Sequence, residues 1–410
     1  MGASRKGMWK YMRKNSYPYR LGLFLVSYYV TNSVFQGFMS LFYTARGFSS
    51  GQIGVIYACI AAISVVLQPL WGIRADRSKS KNNVLRLLIV GALVFVMSYL
   101  LADDFFVLLI LACAFSAFYT SIQPMGDSII LGALHGQPFG SVRLMGCLSF
   151  AIASALLGRF INTGNELRAV YGTAVMCGAM FVATWVLPHT PGMQAVRGGR
   201  RMSFGVLLKN REIMLLMLFT MLLQITMGYF YTFFSPHFMD ISDGNSTLLG
   251  WCYFLSACCE VPFLVFSQRL FRKHGAGRLM CVSALVMGLR WLTLAVTHNP
   301  VVAMCSQMFH GFGFIVITVT SSLYIHAVVP PELQASGQMM LAVVSYGIAR
   351  VVGNLGGGLL ADLMGRQNVF YLCCGICFAS LLFFAPYYLR RAPLNGENAV
   401  GTESFKQFSK

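Results

Sequence analysis

The chain is 410 residues long, 57% hydrophobic and only 11% charged, with a mean hydropathy of +0.65. That balance excludes a water-soluble globular protein, which carries about 25% charged residues. The net charge of +18 invites a nucleic-acid reading, but the placement of the charges argues against it.

Apolar segments long enough to cross about 30 Å of hydrocarbon as helices recur from end to end. In chain order they fall near 21–43, 51–73, 84–102, 105–134, 141–161, 168–187, 212–238, 246–268, 278–297, 300–328, 335–360 and 367–389. They are too long for strands, and their Leu, Ala, Phe and Met content suits helices. The pattern predicts an all-α integral membrane protein with twelve transmembrane helices. A basic amino terminus (1–20) precedes a first set of six segments (21–188). A polar, basic central loop (189–211) separates it from a second set (212–389), and a tail (390–410) follows. The basic start could mimic a signal peptide, but its apolar stretch is too long and eleven more follow, so it is read as a retained helix.

Basic residues cluster in the amino terminus, the loop after the second segment, the central loop, the loop after the eighth segment and the tail. These places hold 24 of the 31 Lys and Arg residues, all on one side of a twelve-span topology, and the opposite loops hold only Arg46, Arg159, Arg168 and Arg366. This positive-inside pattern predicts a multi-pass protein of the cell membrane with both termini cytoplasmic. The charge orients the chain and touches anionic lipid; no nucleic-acid partner is expected. Most of the twelve cysteines lie inside segments. Cys374 and Cys377 form a CxxC with no His or carboxylate near it, which reads as packing rather than a metal or redox site.

The halves resemble each other at a shift of 196 residues. Gly54 and Tyr57 map onto Gly250 and Tyr253, and Arg77 maps onto Lys273. Two six-helix repeats meeting at a midplane cavity describe an alternating-access transporter. After the second segment the chain reads Gly72-Ile73-Arg74-Ala75-Asp76-Arg77. This resembles the Gly-x-x-x-Asp-Arg cytoplasmic signature of the major facilitator superfamily. The resemblance implies that Gly72, Arg74, Asp76 and Arg77 form a conformational latch, in which Asp76 can cap a helix N-terminus while the arginines bind carboxylates or lipid.

Two further stretches narrow the match to the lactose-permease and phenylpropionate-permease branch, across nearly all of the span region. One is the run 139–147, Phe-Gly-Ser-Val-Arg-Leu-Met-Gly-Cys. The other is a trio of polar residues alone in consecutive apolar segments: Glu260, Arg290 and His310. The resemblance implies that Glu260 contacts substrate and couples to protons, that Arg290 and His310 complete its network, and that Arg143 contacts substrate. Lactose permeases carry a carboxylate three residues after this histidine and a lysine three before; here Gly313 and Gln307 stand there. Their sugar-stacking tryptophan, seven residues after the arginine, is Phe150. A phenylpropionate-permease-like pattern fits better, with Asp127 after Pro124 and no acid after the histidine.

The residues support this reading on their own. A charge within a bilayer costs at least about 2.5–3.5 kcal/mol, so such groups face the protein interior and mark substrate or proton pathways. Desolvation favours a protonated carboxylate and a neighbouring arginine favours an ionised one, so motion of one bundle can load and unload a proton. A fixed salt bridge between Glu260 and Arg290 is the alternative. Asp127 and Arg143 flank the short turn 135–140 and can meet at one depth. Arg350 leaves one excess positive charge, which a substrate carboxylate can compensate; a backbone carbonyl or Asp362 could do so instead. Tyr28, Asn32, Gln36, Tyr119, Gln123, Gln224 and Tyr231 suit an amphipathic cavity. Asn32 and Gln36, like Tyr119 and Gln123, share a helical face, although each could also serve helix packing. Gly356–Gly357–Gly358 has no preceding strand and no P-loop lysine, so it reads as close packing rather than phosphate binding.

The expectation is a proton-coupled symporter that imports a small organic solute, such as an aromatic or other organic acid. The alternatives are a sugar or nucleoside symporter and a proton-driven efflux antiporter. The Gly-Pro motif usual in antiporters of this superfamily is missing, since 144–160 contain no proline. A membrane enzyme or receptor ranks last, because no catalytic cluster or nucleotide motif occurs. No cofactor beyond the coupling proton is expected, and the partners are a small-molecule substrate and membrane lipid around a monomer.

Overall fold

The computed structural model describes residues 5–134, 139–162, 164–192, 204–330 and 333–389. Among them the chain is all-α, with no strand. The first half comprises α1 (Arg5–Ala45), α2 (Ser50–Asp76), α3 (Lys81–Ser98), α4 (Phe105–Tyr119), α5 (Ile122–Leu134), α6 (Phe139–Phe160) and α7 (Leu167–Ala183). A short α8 (Phe204–Lys209) sits in the central linker. The second half holds α9 (Arg211–Ile241), α10 (Ser246–Val296), α11 (Pro300–Ser306), α12 (Val316–Val328), α13 (Gln334–Ala342), α14 (Ala349–Met364) and α15 (Arg366–Leu389).

Short polar loops start the helices through side-chain caps. Ser49 and Gln52 form a reciprocal capping box at α2, Asp104 caps α4, and Asn210, Asn245 and Asn299 cap α9, α10 and α11. Each side-chain oxygen satisfies an otherwise orphaned backbone N–H.

Nine helical stretches among the described residues are long and apolar enough to cross a membrane. Three expected segments fall outside these nine. Residues 21–43 lie within α1 but are diluted by Tyr, Asn, Gln and Ser that face the interior. Residues 168–187 form a shorter apolar helix, Leu167–Ala183. Residues 246–268 form the first arm of α10, part of which lies outside the described side chains; non-helical backbone at Gly275 (φ 73°) separates it from the second arm, which ends at Val296. The segment 105–134 divides into α4 and α5 around Thr120 and Ser121. Part of the turn 135–140, most of the central loop and the whole tail 390–410 lie outside the described residues.

The outside of the membrane-spanning part is apolar, as the core is, and polar groups are buried within it. Leu101, Leu363 and Phe383 are exposed, whereas Arg290, Gln307, His310 and Asn354 are buried. This suits a protein whose surroundings are hydrocarbon.

Hydrogen bonds that cross between the two halves gather at one end of the molecule. Ser235 Oγ donates to the Gly37 carbonyl at 2.7 Å, and Ser246 Oγ donates to that of Gly158 at 2.8 Å. The Asp362 carboxylate, near the end of α14, accepts from Ser49 Oγ (2.8 Å), Ser50 N (2.8 Å) and Gly51 N (2.7 Å) at the start of α2. An acid there satisfies free N–H groups and opposes the positive end of the helix dipole. Two glycine pairs allow the backbones to meet. A Cβ on Gly54 would strike the Asn354 carbonyl and Gly358, and one on Gly250 would strike the Ser154 carbonyl and Gly158.

At the opposite end the halves separate. Gly72, Arg74, Asp76 and Arg77 close α2 there. Asp76 pairs at 2.8 Å with Lys81, the first residue of α3, inside its own half, and Arg74 and Arg77 are exposed. Among the described residues no hydrogen bond or ion pair joins these four residues to the second half.

Replacing Asp362 with Ala should speed amide exchange at Ser50 and Gly51 by about tenfold or more, since each N–H loses a charge-assisted bond. Exchange at Lys81 and Asn82, at the other end, should stay as in the parent. Hydrogen exchange read by mass spectrometry checks this; unchanged exchange at Ser50 and Gly51 would show that Asp362 does not hold this end closed.

Candidate functional site

Between the halves lies a cavity of about 750 Å³, opening away from the closed end. From the first half, α1 supplies Tyr28, Asn32 and Gln36, the α4–α5 pair supplies Tyr119 and Gln123, and α6 supplies Arg143 and Phe150. From the second half come Tyr231 on α9, Glu260 on α10, His310 and Arg350. These eleven expected site residues share one space. Asp127, Arg290 and Gln224 do not line it. Asp127 stands behind Arg143, Arg290 stands behind His310, and Gln224 is buried within the second half.

The helices are locally irregular where they carry the key side chains. His310 closes a short 3-10 turn and is followed at once by a π-helical turn, Gly311–Ile315. Another π turn, Val343–Ile348, immediately precedes Ala349 and Arg350. Such turns shift the register of side chains and are frequent at functional sites.

Arg290 governs the geometry on the second side. It is 2% exposed, and its guanidinium lies 4.2 Å from the centroid of Phe230. Its Nη1 reaches His310 Nδ1 at 2.8 Å, and its Nη2 donates to Gln307 Oε1. A guanidinium has no acceptor, so His310 Nδ1 has to be the accepting nitrogen. The ring is therefore neutral here, with its hydrogen on Nε2. That nitrogen faces Glu260 Oε1 at 3.1 Å and the Tyr231 hydroxyl at 3.1 Å. The rings of Phe314 and Phe230 pack on the imidazole. Glu260 and Arg290 form no direct ion pair; His310 stands between them. Their alternative reading as a simple bridge between neighbouring segments is not what the chain builds.

On the first side Arg143 and Asp127 approach to 3.5 Å, the pairing foreseen across the turn 135–140. Tyr28 stacks on Tyr119 with centroids 5.8 Å apart, and Asn32 Nδ2 donates to Gln36 Oε1 at 3.3 Å. Gln123 Nε2 donates to Tyr29 OH at 3.3 Å. Arg350 lies with its Cζ 4.5 Å from the Tyr231 ring centroid. Its Nη1 reaches the Met227 carbonyl at 3.4 Å, and its Nε has no partner.

Sequence reasoning overlooked Tyr29, Phe314 and Tyr346, which also line the cavity. Helical spacing could have found Phe314, four residues after His310, and Tyr346, four before Arg350. Gln307 was noted only as a replaced lysine, yet it is one of the two side chains that hold Arg290. Among the described residues no group of three or more His, Cys, Asp or Glu could hold a metal ion.

The MFS_1 like family matches residues 19–372. The chain belongs to this family of the major facilitator superfamily. It is a secondary transporter of the membrane and not an enzyme. The maltose permease of Geobacillus stearothermophilus is 26% identical over 332 residues, covering 80% of this chain and 84% of that one. The uncharacterized transporter YwbF of Bacillus subtilis is 24% identical over 380 residues, covering 91% and 93%. An Escherichia coli protein named "Probable 3-phenylpropionic acid transporter" is 22% identical over 359 residues, covering 86% and 93%. The crystal structure of nucleoside transporter NupG matches with a TM-score of 0.80 at 17% identity, covering 92% of this chain and 100% of that one. That likeness shows the MFS fold.

The tautomer of His310 is directly measurable in this MFS transporter. With ¹⁵N-labelled histidine, and His310 assigned by its loss in His310→Gln, the resting protein should show a hydrogen on Nε2 and a bare Nδ1. A doubly protonated ring would mean that Arg290 does not donate to it.

Proposed function

We propose that the protein is a proton-coupled symporter that imports a small organic solute by alternating access, with Glu260 as the proton site. The supporting observation is the Arg290–His310–Glu260 chain. Arg290 occupies Nδ1 of the histidine, so a proton arriving from the cavity has Glu260 as its acceptor. The Glu260 side chain is 24% exposed and that of His310 3%, so the carboxylate is the member of the chain that meets solvent. While Glu260 is ionised it offsets Arg290 through the imidazole; once protonated, it leaves Arg290 without a counter-charge. Protonation therefore changes the electrostatics of the whole chain, as a coupling site must.

Orientation follows from charge. With the basic loops cytoplasmic, the closed end faces outward and the cavity opens to the cytoplasm, as it would after delivering an imported solute. The protein then resides in the cell membrane, with membrane lipid around it as a monomer. Substrate would contact Arg143, Phe150, Tyr28, Tyr119 and Gln123 on one side and Tyr231 and Arg350 on the other. Opening the outer end requires the Asp362 contacts to break, while Gly72, Arg74, Asp76 and Arg77 latch the inner end.

A second reading is sugar or nucleoside symport. The carboxamides of Asn32, Gln36 and Gln123 in the cavity favour it, since they suit hydroxyl-rich solutes, and the named relatives include a maltose permease and a nucleoside permease. Efflux by antiport draws no support from a cavity feature.

Glu260→Gln in proteoliposomes should lose proton-driven accumulation by at least about tenfold, the size expected when a charged partner is removed. Equilibrium exchange of solute should persist, because exchange moves no net proton. Retained accumulation by a normally inserted variant would remove Glu260 from the coupling role.

A further inference from the structure

The charges around the cavity do not balance, and the imbalance changes with protonation. Asp127 and Arg143 form one neutral pair at 3.5 Å. Glu260, His310 and Arg290 form a chain that is neutral overall while Glu260 is ionised. Arg350 remains. Among the described residues no carboxylate lies within ion-pair distance of it; its neighbours include the Met227 carbonyl and the side chains of Tyr231 and Tyr346, none of them an acid, and its Nε is unsatisfied. Asp362, on the same helix, is engaged at the start of α2. An arginine inside a membrane protein without a counter-ion is costly. Arg350 also faces the cavity, where a ligand can reach it.

Resting on the proton-coupled reading above, we infer that Arg350 is the anchor for the carboxylate of a small organic monoanion, and that this anion and the Glu260 proton bind as an electroneutral pair. Protonating Glu260 turns one excess positive charge into two, on Arg290 and Arg350. Binding a monoanion returns the excess to one. Proton binding therefore strengthens anion binding, and by linkage the anion strengthens proton binding equally. The loaded and empty carriers hold the same charge as they cross between states. A carrier with only one of the two bound holds a different charge, so a leak of either alone is disfavoured. No covalent step occurs: the proton resides on the Glu260 carboxylate, and the anion keeps its charge on Arg350.

Tyr231 joins the two sites. Its ring lies against the Arg350 guanidinium and its hydroxyl meets His310 Nε2 at 3.1 Å, the same nitrogen that faces Glu260. Phe314, Tyr346 and Phe150 line the same space, which suits a ligand with a flat apolar body and one carboxylate. A guanidinium can take that carboxylate through two parallel N–H bonds; a neutral amide offers no charge for it.

The test uses the purified full-length chain with benzoate, phenylacetate, 3-phenylpropionate and cinnamate, each beside its amide. Calorimetry at pH 6 and pH 8 should show at least one acid binding, more tightly at the lower pH, with its amide at least about tenfold weaker. Arg350→Gln should lose the acid by a similar factor. Arg350→Lys should keep part of the affinity, which shows that the cavity still folds. Glu260→Gln should bind the acid with the pH dependence gone. In proteoliposomes, after subtraction of protein-free vesicles, uptake driven by a pH gradient should not respond to an imposed potassium diffusion potential. Binding of no carboxylate, equal binding of acid and amide, or unchanged affinity in Arg350→Gln would overturn the carboxylate site. Uptake that follows the potential would overturn the electroneutral pairing. Carboxylate binding and uptake that ignore pH altogether would instead remove the proton coupling on which the inference rests.

Discussion

A guanidinium buried inside a membrane protein sets the terms for everything around it. Arg290 stays charged at any working pH, so its surroundings must supply acceptors. Gln307 and His310 do so, and Phe230 offers a ring face. Because Arg290 can only donate, it dictates the histidine tautomer, and the tautomer dictates that Nε2–H points toward Glu260 and Tyr231. A single residue that never meets solvent thus orients the two groups that do. Had a carboxylate paired directly with Arg290, the charge would have been locked inside a static bridge. Placing a neutral imidazole between them keeps the acid at the cavity wall.

An alternating-access transporter works only if its cavity can face each side in turn, and the packing separates the closed end from the cavity. At the closed end, glycines let α2 meet α14 and α6 meet the first arm of α10 along their backbones, and the contacts are hydrogen bonds between small groups. At the other end, side chains with volume and charge line the cavity. The internal repeat makes this arrangement nearly symmetric. Gly54 and Gly250, related by the 196-residue shift, each sit at one backbone contact, and Tyr57 and Tyr253 both line the cavity. A close-packed interface made of small residues and few polar bonds can come apart and re-form at modest cost. The Asp362 cap adds a specific contact to it, a carboxylate held by three donors that water can replace when the end opens.

Much of this was legible in the chain because membrane physics leaves few choices. Hydrocarbon forces helices of a set length, and a charge within them has to have a purpose, so Glu260, Arg290, His310, Asp127 and Arg143 stood out before any coordinates. Spacing also placed Asp127 and Arg143 together. What periodicity could not supply was three-dimensional order along one line of sight: that His310 would separate Glu260 from Arg290, that Arg290 and Asp127 would stand one layer behind the cavity, and that Gln224 would face the packed interior of its half. Polar residues in apolar helices look alike whether they face a cavity or a neighbouring helix. The π turns beside His310 and Arg350 were invisible for another reason. They are local backbone departures within sequence that still has the composition of a continuous helix.

The turn after His310 also sets how closely this segment approaches α10. Gly311 packs against the Cys259 carbonyl and the Glu260 Cα, and Gly313 packs against the side chain of Met287. A Cβ at Gly311 would strike the α10 backbone, whereas one at Gly313 would meet only the Met287 side chain. Lactose-permease-like sequences place a carboxylate at the position of Gly313; here the carboxylate that reaches His310 is that of Glu260 on α10. The cavity then holds fewer negative charges than positive ones, and the surplus falls on Arg350, beyond Tyr231. The same packing choice that brings Glu260 to His310 leaves an arginine in want of an anion.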